Sequence, residues 1–388
     1  MVTKAVKMSS PTVTINLVVL NGEKYIRHCL DAILAQTYPH ELVELNILDN
    51  GSSDNTVSII ENSRFQILNS RFSKLNFIKN KINLGVWPGQ EELLKYTNGK
   101  YVVCLCVDVL MDKDFIKNAV EIMEKDDKIG ALQPKIYKFD ISSLPAYQLT
   151  SLPAEVIDTC GFQIFKSRRI INIGHGLSFA SPSHKATELQ SKASESKEFD
   201  FDKEQEIFAV EGAVPVFRKS ALKSCRIQIQ DSRFKIPDSE IVDHDYFWYG
   251  DDLDLTWRMR LFGWKEILAP KVIAWHDRQT TKSVKKTWLD YFRRVPVRRQ
   301  IPIKKRRLDW RNTRWTLIKN DYTINILKDL PWIISREIAV LGYAILFEPA
   351  VLKEIPTFFK YLPKMFRKRR EIMKRAVVTP KEIRKWMK

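Results

Sequence analysis

At 388 residues and 45.4 kDa, with 44% hydrophobic and 28% charged residues, the chain has room for one large α/β unit plus an appendage, or for two domains. That composition excludes collagen-like, mucin-like and low-complexity classes. A net charge of +18 with a pI near 9.5 implies an anionic partner (nucleic acid, an acidic lipid surface or a phosphorylated substrate), and five cysteines with no CxxC pair point to a reducing compartment rather than a disulfide framework or a zinc site.

Taken in chain order, Met1 to Pro11 is polar and lacks the apolar centre of a secretory signal, which leads us to expect a cytoplasmic catalytic part. Val13 to Leu20 is β-rich, and Glu23 to Ala35 carries apolar residues at helical spacing. Leu42 to Leu48 reads as a second strand, Thr56 to Asn62 as a helix and Asn76 to Ile78 as a short strand before the loop Asn83-Leu84-Gly85. Glu91 to Thr97 is read as a helix leading into the strand Tyr101 to Val107, with a further helix over Phe115 to Met123. This alternation predicts an α/β fold with a mainly parallel central sheet, whose ligands bind at the carboxyl ends of the strands. Residues 140 to 205 read as an irregular insertion with a mobile loop near 181–198, and structure resumes at Ile207 to Phe217.

Four places could carry chemistry. Asp49-Asn50-Gly51-Ser52-Ser53-Asp54 follows a strand and precedes a helix, so it serves either as a tight turn with an N-cap or as a base-binding loop. Asp108 ends a predicted strand, where a carboxylate can hold a divalent ion against a diphosphate; Asp112 is the more natural helix cap. Asp251, Asp252 and Asp254 crowd the start of an amphipathic segment. One acid would satisfy a helix N-terminus, and like charges this close raise at least one pKa, as a general base requires. His276 ends a strand over Lys271 to Trp275 and is a candidate metal ligand with Asp108.

In unbroken order over residues 13 to 280, these segments resemble the family 2 inverting glycosyltransferases of GT-A (Rossmann-like) fold, especially rhamnosyltransferase-like members. The matching segments are Asn21-Gly22-Glu23, Gln36-Thr37-Tyr38-Pro39, Asp49 to Thr56, Asn83-Leu84-Gly85, Asp108, Ile157 to Gly161, Gly212-Ala213, Asp243 to Arg258, and His276. The resemblance implies a nucleotide-half at 13–135 and an acceptor half at 136–280. Asn21, Asp49, Asn50, Gly51, Ser52, Asp54, Asn83, Gly85 and Asp108 would then bind the donor. Gly212, Ala213, Trp248, Tyr249 and Arg258 would lie on the acceptor side, and Asp108 with His276 would hold Mg²⁺ or Mn²⁺. It further implies a single displacement with inversion, in which Asp252, beside Asp251, takes the proton of an acceptor hydroxyl. The donor would be dTDP-rhamnose or a UDP-sugar, and the acceptor a polyprenyl-diphosphate-linked saccharide in cell-surface polysaccharide assembly. Two features depart from the pattern: Cys106 and Val107 stand where relatives place polar residues before the metal-site acid, and Asp251 shortens the usual Glu.

After residue 280, cationic clusters such as Lys304-Lys305-Arg306-Arg307 and Arg367-Lys368-Arg369-Arg370 alternate with Trp288, Trp310, Trp315, Trp332 and Phe358-Phe359. Ile338 to Phe347 is the longest apolar stretch, and charges bound it short of the roughly 20 residues a span needs. We therefore expect 281–388 to form basic amphipathic helices on an anionic membrane surface, at the inner face of the cell membrane, the alternative being that they pack on the catalytic domain with a solvated basic face. Two competing classes are a basic nucleic-acid-binding protein and a catalytically silent glycosyltransferase-like module. The positive charge is concentrated in the tail and no zinc finger or RNP-like motif is present, which argues against nucleic acid. The joint presence of Asp252, Asp108 and His276 argues against a silent module.

Overall fold

The computed structural model describes residues 11–143, 152, 155–178, 199–229, 238–278, 295–296 and 298–388. The loop expected near 181–198 lies outside them, as do Lys285, Lys286, Trp288, Arg293 and Arg294.

The first half is a βα alternation. It runs β1 (Val13–Val19), α1 (Ile26–Leu34), β2 (Val43–Asp49), α2 (Thr56–Asn69), β3 (Lys74–Lys79), α3 (Val86–Leu93) and β4 (Tyr101–Cys106). Next come β5 (Val109–Met111), α4 (Phe115–Met123) and β6 (Ile129–Lys138). The following stretch contributes β7 (Ile157–Thr159), β8 (Phe162–Ile164), β9 (Ile170–Asn172), β10 (Gln205–Glu206), β11 (Val216–Arg218), α5 (Lys219–Ser224), β12 (Ile227–Ile229), β13 (Asp238–Glu240), α6 (Asp251–Leu261) and β14 (Lys265–His276).

The central sheet runs β10-β14-β6-β11-β4-β1-β2-β3, with β5 on β14 and β7 on β6. Its long pairings, β1 with β2 and β4, β2 with β3 and β6 with β14, are parallel over six to nine residues. The antiparallel contacts, such as β11 with β4 and β6, are two or three residues long. Helices cover both faces, so adjacent side chains on one strand enter different cores: Tyr101, Val103 and Leu105 of β4 join α1 and α4, whereas Val102 and Cys104 join Trp87, Leu222 and Leu255. Asn46 Nδ2 donates to Asn16 Oδ1 at 2.9 Å and Asn76 Nδ2 to Asn46 Oδ1 at 2.7 Å, a ladder that fixes the register of three strands.

The structure differs from the sequence reading in several elements. α3 starts at Val86, not Glu91, because Pro88 occupies its first turn, where the missing N–H costs nothing. β14 is twelve residues long, with a register shift between Ala269 and Ile273 that interrupts its pattern. The 140–205 stretch contains β7 and the β8/β9 hairpin, and Ile207 to Phe217 is mostly irregular.

The chain after 300 forms α7 (Ile303–Asn320), α8 (Thr323–Lys328), α9 (Leu330–Phe347), a 3-10 turn at Pro349–Glu354, α10 (Ile355–Arg375) and α11 (Pro380–Arg384). These helices share a core with the sheet domain, so residue 280 is not a physical boundary. Ile372, Ile383 and Met387 pack with Phe208, Trp257 and Leu261. Lys319 of α7 is fully buried, pairing with Asp243 and, at 2.8 Å, with Asp254. Lys368 of α10, also fully buried, pairs with Asp243 at 2.5 Å, Glu240 at 2.6 Å and Asp245 at 2.8 Å.

By contrast, only Ala344 of α9 is buried. Among the described residues α9 alone is long and apolar enough to cross a membrane by length and composition. Its internal charge is tied down, since Glu337 pairs with Arg314 of α7 and, at 2.5 Å, with Arg336.

Replacing Lys368 with Met leaves three acids around an apolar side chain in a dry site. We expect a loss of about 3–5 kcal/mol in urea unfolding, far above the ~1 kcal/mol of a surface pair.

Candidate functional site

A cleft of about 500 Å³ opens where β1, β4 and β14 end, against the segment that leads into α6. Of the sequence-predicted residues, Asn21, Asn50, Asn83, Gly85, Asp108, Gly212, Ala213, Trp248, Tyr249, Asp251, Asp252 and His276 line it.

On the donor side, Asn50 at the tip of β2 organises the wall. Its Nδ2 donates to Asn83 Oδ1 at 2.9 Å and to the Gly85 carbonyl at 3.0 Å, while its Oδ1 accepts the Leu84 N–H at 3.1 Å. Gly85 has φ +96°, and a Cβ there would stand 2.2 Å from the Phe247 carbonyl, so only glycine lets the two walls meet. Asp49, Gly51, Ser52 and Asp54 sit behind this wall and do not line the cleft. Asp49 accepts the Ser52 N–H at 3.2 Å, and Asp54 accepts those of Glu23 and Thr56 at 3.0 Å. In this structure their carboxylates therefore cap turns, and Asn21 is held by Ser52 Oγ and the Ser53 N–H at 2.9 Å.

At the far end of β14, His276 Nε2 lies 3.3 Å from Asp108 Oδ2, and its Nδ1 lies 2.9 Å from Asp158 Oδ2. Burial opposes a charged imidazole, yet the Asp108 carboxylate and the hydrogen bonds to Asp108 and Asp158 push His276 up to about 9. Asp108 and Asp158 are both held below the usual carboxylate range despite burial, by His276 for the first and chiefly by hydrogen bonds from His175 and His276 for the second. Two atoms about 3 Å apart match neighbouring ligands of one cation bound at ~2.1 Å. Asp158 behind His276 supplies the supporting carboxylate such a ligand needs. The pair Asp108 and His276 thus fits a divalent ion whose remaining positions a diphosphate would fill. Among the described residues no third His, Cys, Asp or Glu joins them. The Cys106 thiol is pushed well up by burial, and the Asp108 and Glu211 charges push the same way, so it stays neutral and is no thiolate ligand.

Asp252 opens α6 with its Oδ2 accepting the Gly212 N–H at 3.0 Å and its Oδ1 accepting the Leu253 N–H at 2.8 Å. A Cβ on Gly212 would come within 3.0 Å of that carboxylate, so glycine is what permits this contact. Burial, reinforced by the Glu211 charge, raises Asp252 to about 7. Asp251 is pushed well above the ordinary range by burial and by Asp252, and its Oδ2 has no hydrogen-bond partner among the described residues, as suits a neutral carboxyl. This separates the two acids: one protonated, one poised to exchange a proton near neutrality.

Arg258 corrects the sequence reading. It is fully buried on the opposite side of α6, paired with Asp254 at 3.0 Å and donating to the Cys225 carbonyl at 2.8 Å, and takes no part in the cleft. An 11-residue helix turns about 100° per residue, which carries position 258 away from 252.

Several cleft residues escaped the sequence reading. Arg278 bridges Asp158 at 2.8 Å and Glu211 at 2.5 Å; Glu211 immediately precedes the Gly212-Ala213 pair, which was the available signal. Lys304 reaches the cleft from α7 with its Nζ 4.2 Å over the Phe247 ring, and Lys305 lies 4.2 Å over that of Tyr249. No local pattern joins residues so far apart in sequence.

Residues 14–188 match the sequence model of Glycosyl transferase family 2. With that family the chain shares the GT-A fold, a mixed α/β sheet with its long strands parallel and helices after it. The poly-β-1,6-N-acetyl-D-glucosamine synthase of Staphylococcus epidermidis is 29% identical over 29% of this chain and 25% of its own length. The dolichyl N-acetyl-α-D-glucosaminyl phosphate 3-β-D-2,3-diacetamido-2,3-dideoxy-β-D-glucuronosyltransferase of Methanococcus voltae is 28% identical over 30% of this chain and 35% of its own. The matched segment thus spans about a quarter to a third of these two relatives. The solved structure of S. aureus TarS with UDP is 15% identical, covers 91% of this chain and 80% of its own, and has a TM-score of 0.48.

Because the folded Asp252 carboxyl holds its proton up to about pH 7 while an unfolded one releases it near pH 4, the wild type loses stability as pH rises through that window. Asp252→Asn should match it at pH 4 and exceed it at pH 8 by about 2 kcal/mol, less than the whole shift implies because the carboxyl borders cleft water. Urea unfolding at the two pH values measures the difference.

Proposed function

We propose that this chain, whose residues 14–188 match the sequence model of Glycosyl transferase family 2, is an inverting glycosyltransferase that uses a nucleotide-diphosphate sugar at a membrane surface. The observation that carries the reading is the separation within one cleft of a carboxyl raised to about 7, Asp252, from an acid–imidazole pair, Asp108 and His276.

Asn21, Asn50, Asn83 and Gly85 form the donor wall in this reading. Asp252 accepts the proton of the acceptor hydroxyl as its oxygen attacks the anomeric carbon, and the Gly212 N–H holds the carboxylate in place. Asp251 stays neutral beside it, so the pair carries one charge. Asp108 and His276 would hold Mg²⁺ or Mn²⁺, which when bound neutralises the departing diphosphate. Arg278 and Lys304 add fixed positive charge to the cleft. dTDP-rhamnose or a UDP-sugar is the donor, and a lipid-linked saccharide in cell-surface polysaccharide assembly the acceptor. The synthase and the dolichyl-phosphate-named relative support that pairing of chemistries.

α9 supports the membrane part. Trp332, Ile334, Ile338, Leu341, Ile345 and Leu346 are exposed along it, and Phe359 and Phe366 are exposed on α10, whose polar positions are rich in Lys and Arg. Apolar residues at the level of a bilayer interface with flanking cations fit a helix lying on anionic lipid, which keeps the cleft beside a lipid-borne acceptor.

Thermal unfolding with UDP, dTDP, GDP and CDP, each with and without Mn²⁺, tests the donor site. One nucleotide at a hundred times its dissociation constant should stabilise by about 2.7 kcal/mol, more so with metal. No shift with any nucleotide would overturn the reading. With the donor so identified, kcat/KM should climb with pH to a plateau above about 7, and Asp252→Asn should cost at least about 100-fold in kcat.

Flotation with phosphatidylglycerol vesicles should bring the wild type to the lipid, and Leu341→Asp with Ile345→Asp should reduce partitioning by more than about tenfold. Equal flotation would remove α9 from the membrane contact.

A further inference from the structure

The segment entering the base helix adopts backbone that its own residues disfavour. Phe247 has φ 63°, Tyr249 φ 66° and Gly250 φ 81°, so three residues of four lie in the left-handed region just before Asp251. Two of them are bulky aromatics, for which this region costs energy, and such a conformation persists only where surroundings impose it. A chain reversed this way also turns several carbonyls to one side, where no helix or strand supplies donors.

The donors come from α7. Asn312, fully buried, directs its Nδ2 to the carbonyls of Tyr246 at 3.2 Å, Trp248 at 2.8 Å and Tyr249 at 2.7 Å. Its Oδ1 accepts from Arg311 Nε at 3.0 Å, which fixes the amide with its nitrogen toward the loop. Arg311 Nη2 adds contacts to the carbonyls of Asp245 at 3.1 Å and Tyr246 at 3.3 Å. The loop in turn sets the start of α6, because the Gly250 carbonyl accepts the Asp254 N–H at 2.9 Å. On the other side the Phe247 carbonyl abuts Gly85 of the donor wall.

We propose that Asn312 is a positioning residue for catalysis: by gathering the carbonyls of Tyr246, Trp248 and Tyr249 it holds the entry to α6 in its strained form and so aims Asp251 and Asp252 into the cleft. The catalytic step part of this rests on the proposed glycosyltransferase reading; the clamp itself does not. Asn312 does not line the cleft, so its loss reaches the base through the 246–250 loop it holds.

The test compares full-length Asn312→Ala and Asn312→Ser with wild type. In hydrogen exchange followed by mass spectrometry, peptides over 246–253 of Asn312→Ala should exchange at least about tenfold faster, with those of β1, β2 and β4 unchanged. Turnover should fall on the order of 100-fold in kcat with the donor KM unchanged, and Asn312→Ser, keeping one donor, should fall between. Wild-type exchange over 246–253 in Asn312→Ala would overturn the proposal, and so would a kcat equal to wild type. Exchange that rises throughout the molecule, with KM and kcat lost together, would make Asn312 a general stability residue and also overturn it. If wild type turns over no donor, the glycosyltransferase reading fails, and the exchange result alone still decides whether the clamp exists.

Discussion

Two fully buried lysine ammoniums, those of Lys319 and Lys368, hold this molecule together beside its cleft. Taking each out of water costs several kcal/mol, which only close, multiple carboxylate partners offset. Asp243, Asp254, Glu240 and Asp245 provide them. Asp243 is held well below the usual range by the two lysines in spite of burial, whereas burial and the charge of Asp243 push Glu240 up. These acids flank and enter the segment that bears Asp251 and Asp252, so the ion cluster and the ordering of the proposed base are one event.

This changes the meaning of the +18 charge. Many of the cations from Arg298 onward pair with carboxylates of the same C-terminal region: Arg311 and Arg307 with Glu354, Arg298 and Arg306 with Glu348, and Arg384 with Asp329. Arg168 reaches from the turn between β8 and β9 to Asp321 and Asp329, tying the acceptor half to the α7–α9 corner. The same helices that lock the catalytic segment present the apolar surface of α9. One element thus faces the sheet and another faces outward, where a purely surface-bound tail would have left the base loop without its donors.

Charges in the cleft alternate in a continuous line. Asp108 faces His276, His276 faces Asp158, Asp158 faces Arg278, and Arg278 faces Glu211, whose charge helps raise Asp252. The acid–imidazole end and the carboxyl end are coupled through that line, yet the sequence spreads it over residues 108 to 278. Asp108, His276 and Asp252 were legible because each sits next to a strand or helix terminus, where a local pattern marks it. Glu211 and Arg278 were not, since their role is defined only by partners brought from other elements. Arg258 was misplaced for the converse reason: it lies in the chemically dense segment, but helical rotation turns it inward to Asp254.

The sequence by itself determined the βα alternation, the parallel long strands and the positions of the acids at strand and helix ends. Periodicity and turn chemistry are local properties, and burial on both faces of a sheet enforces them. Tertiary structure alone decided which carboxyls burial pushes up, which side chains of the Asp49 to Asp54 loop cap turns instead of lining the cleft, and that the C-terminal helices share a core with the sheet. Each of those depends on desolvation and on partners distant in sequence. A lysine written in a basic run looks the same whether it meets water, as an exposed one does, or the buried carboxylates that surround Lys368.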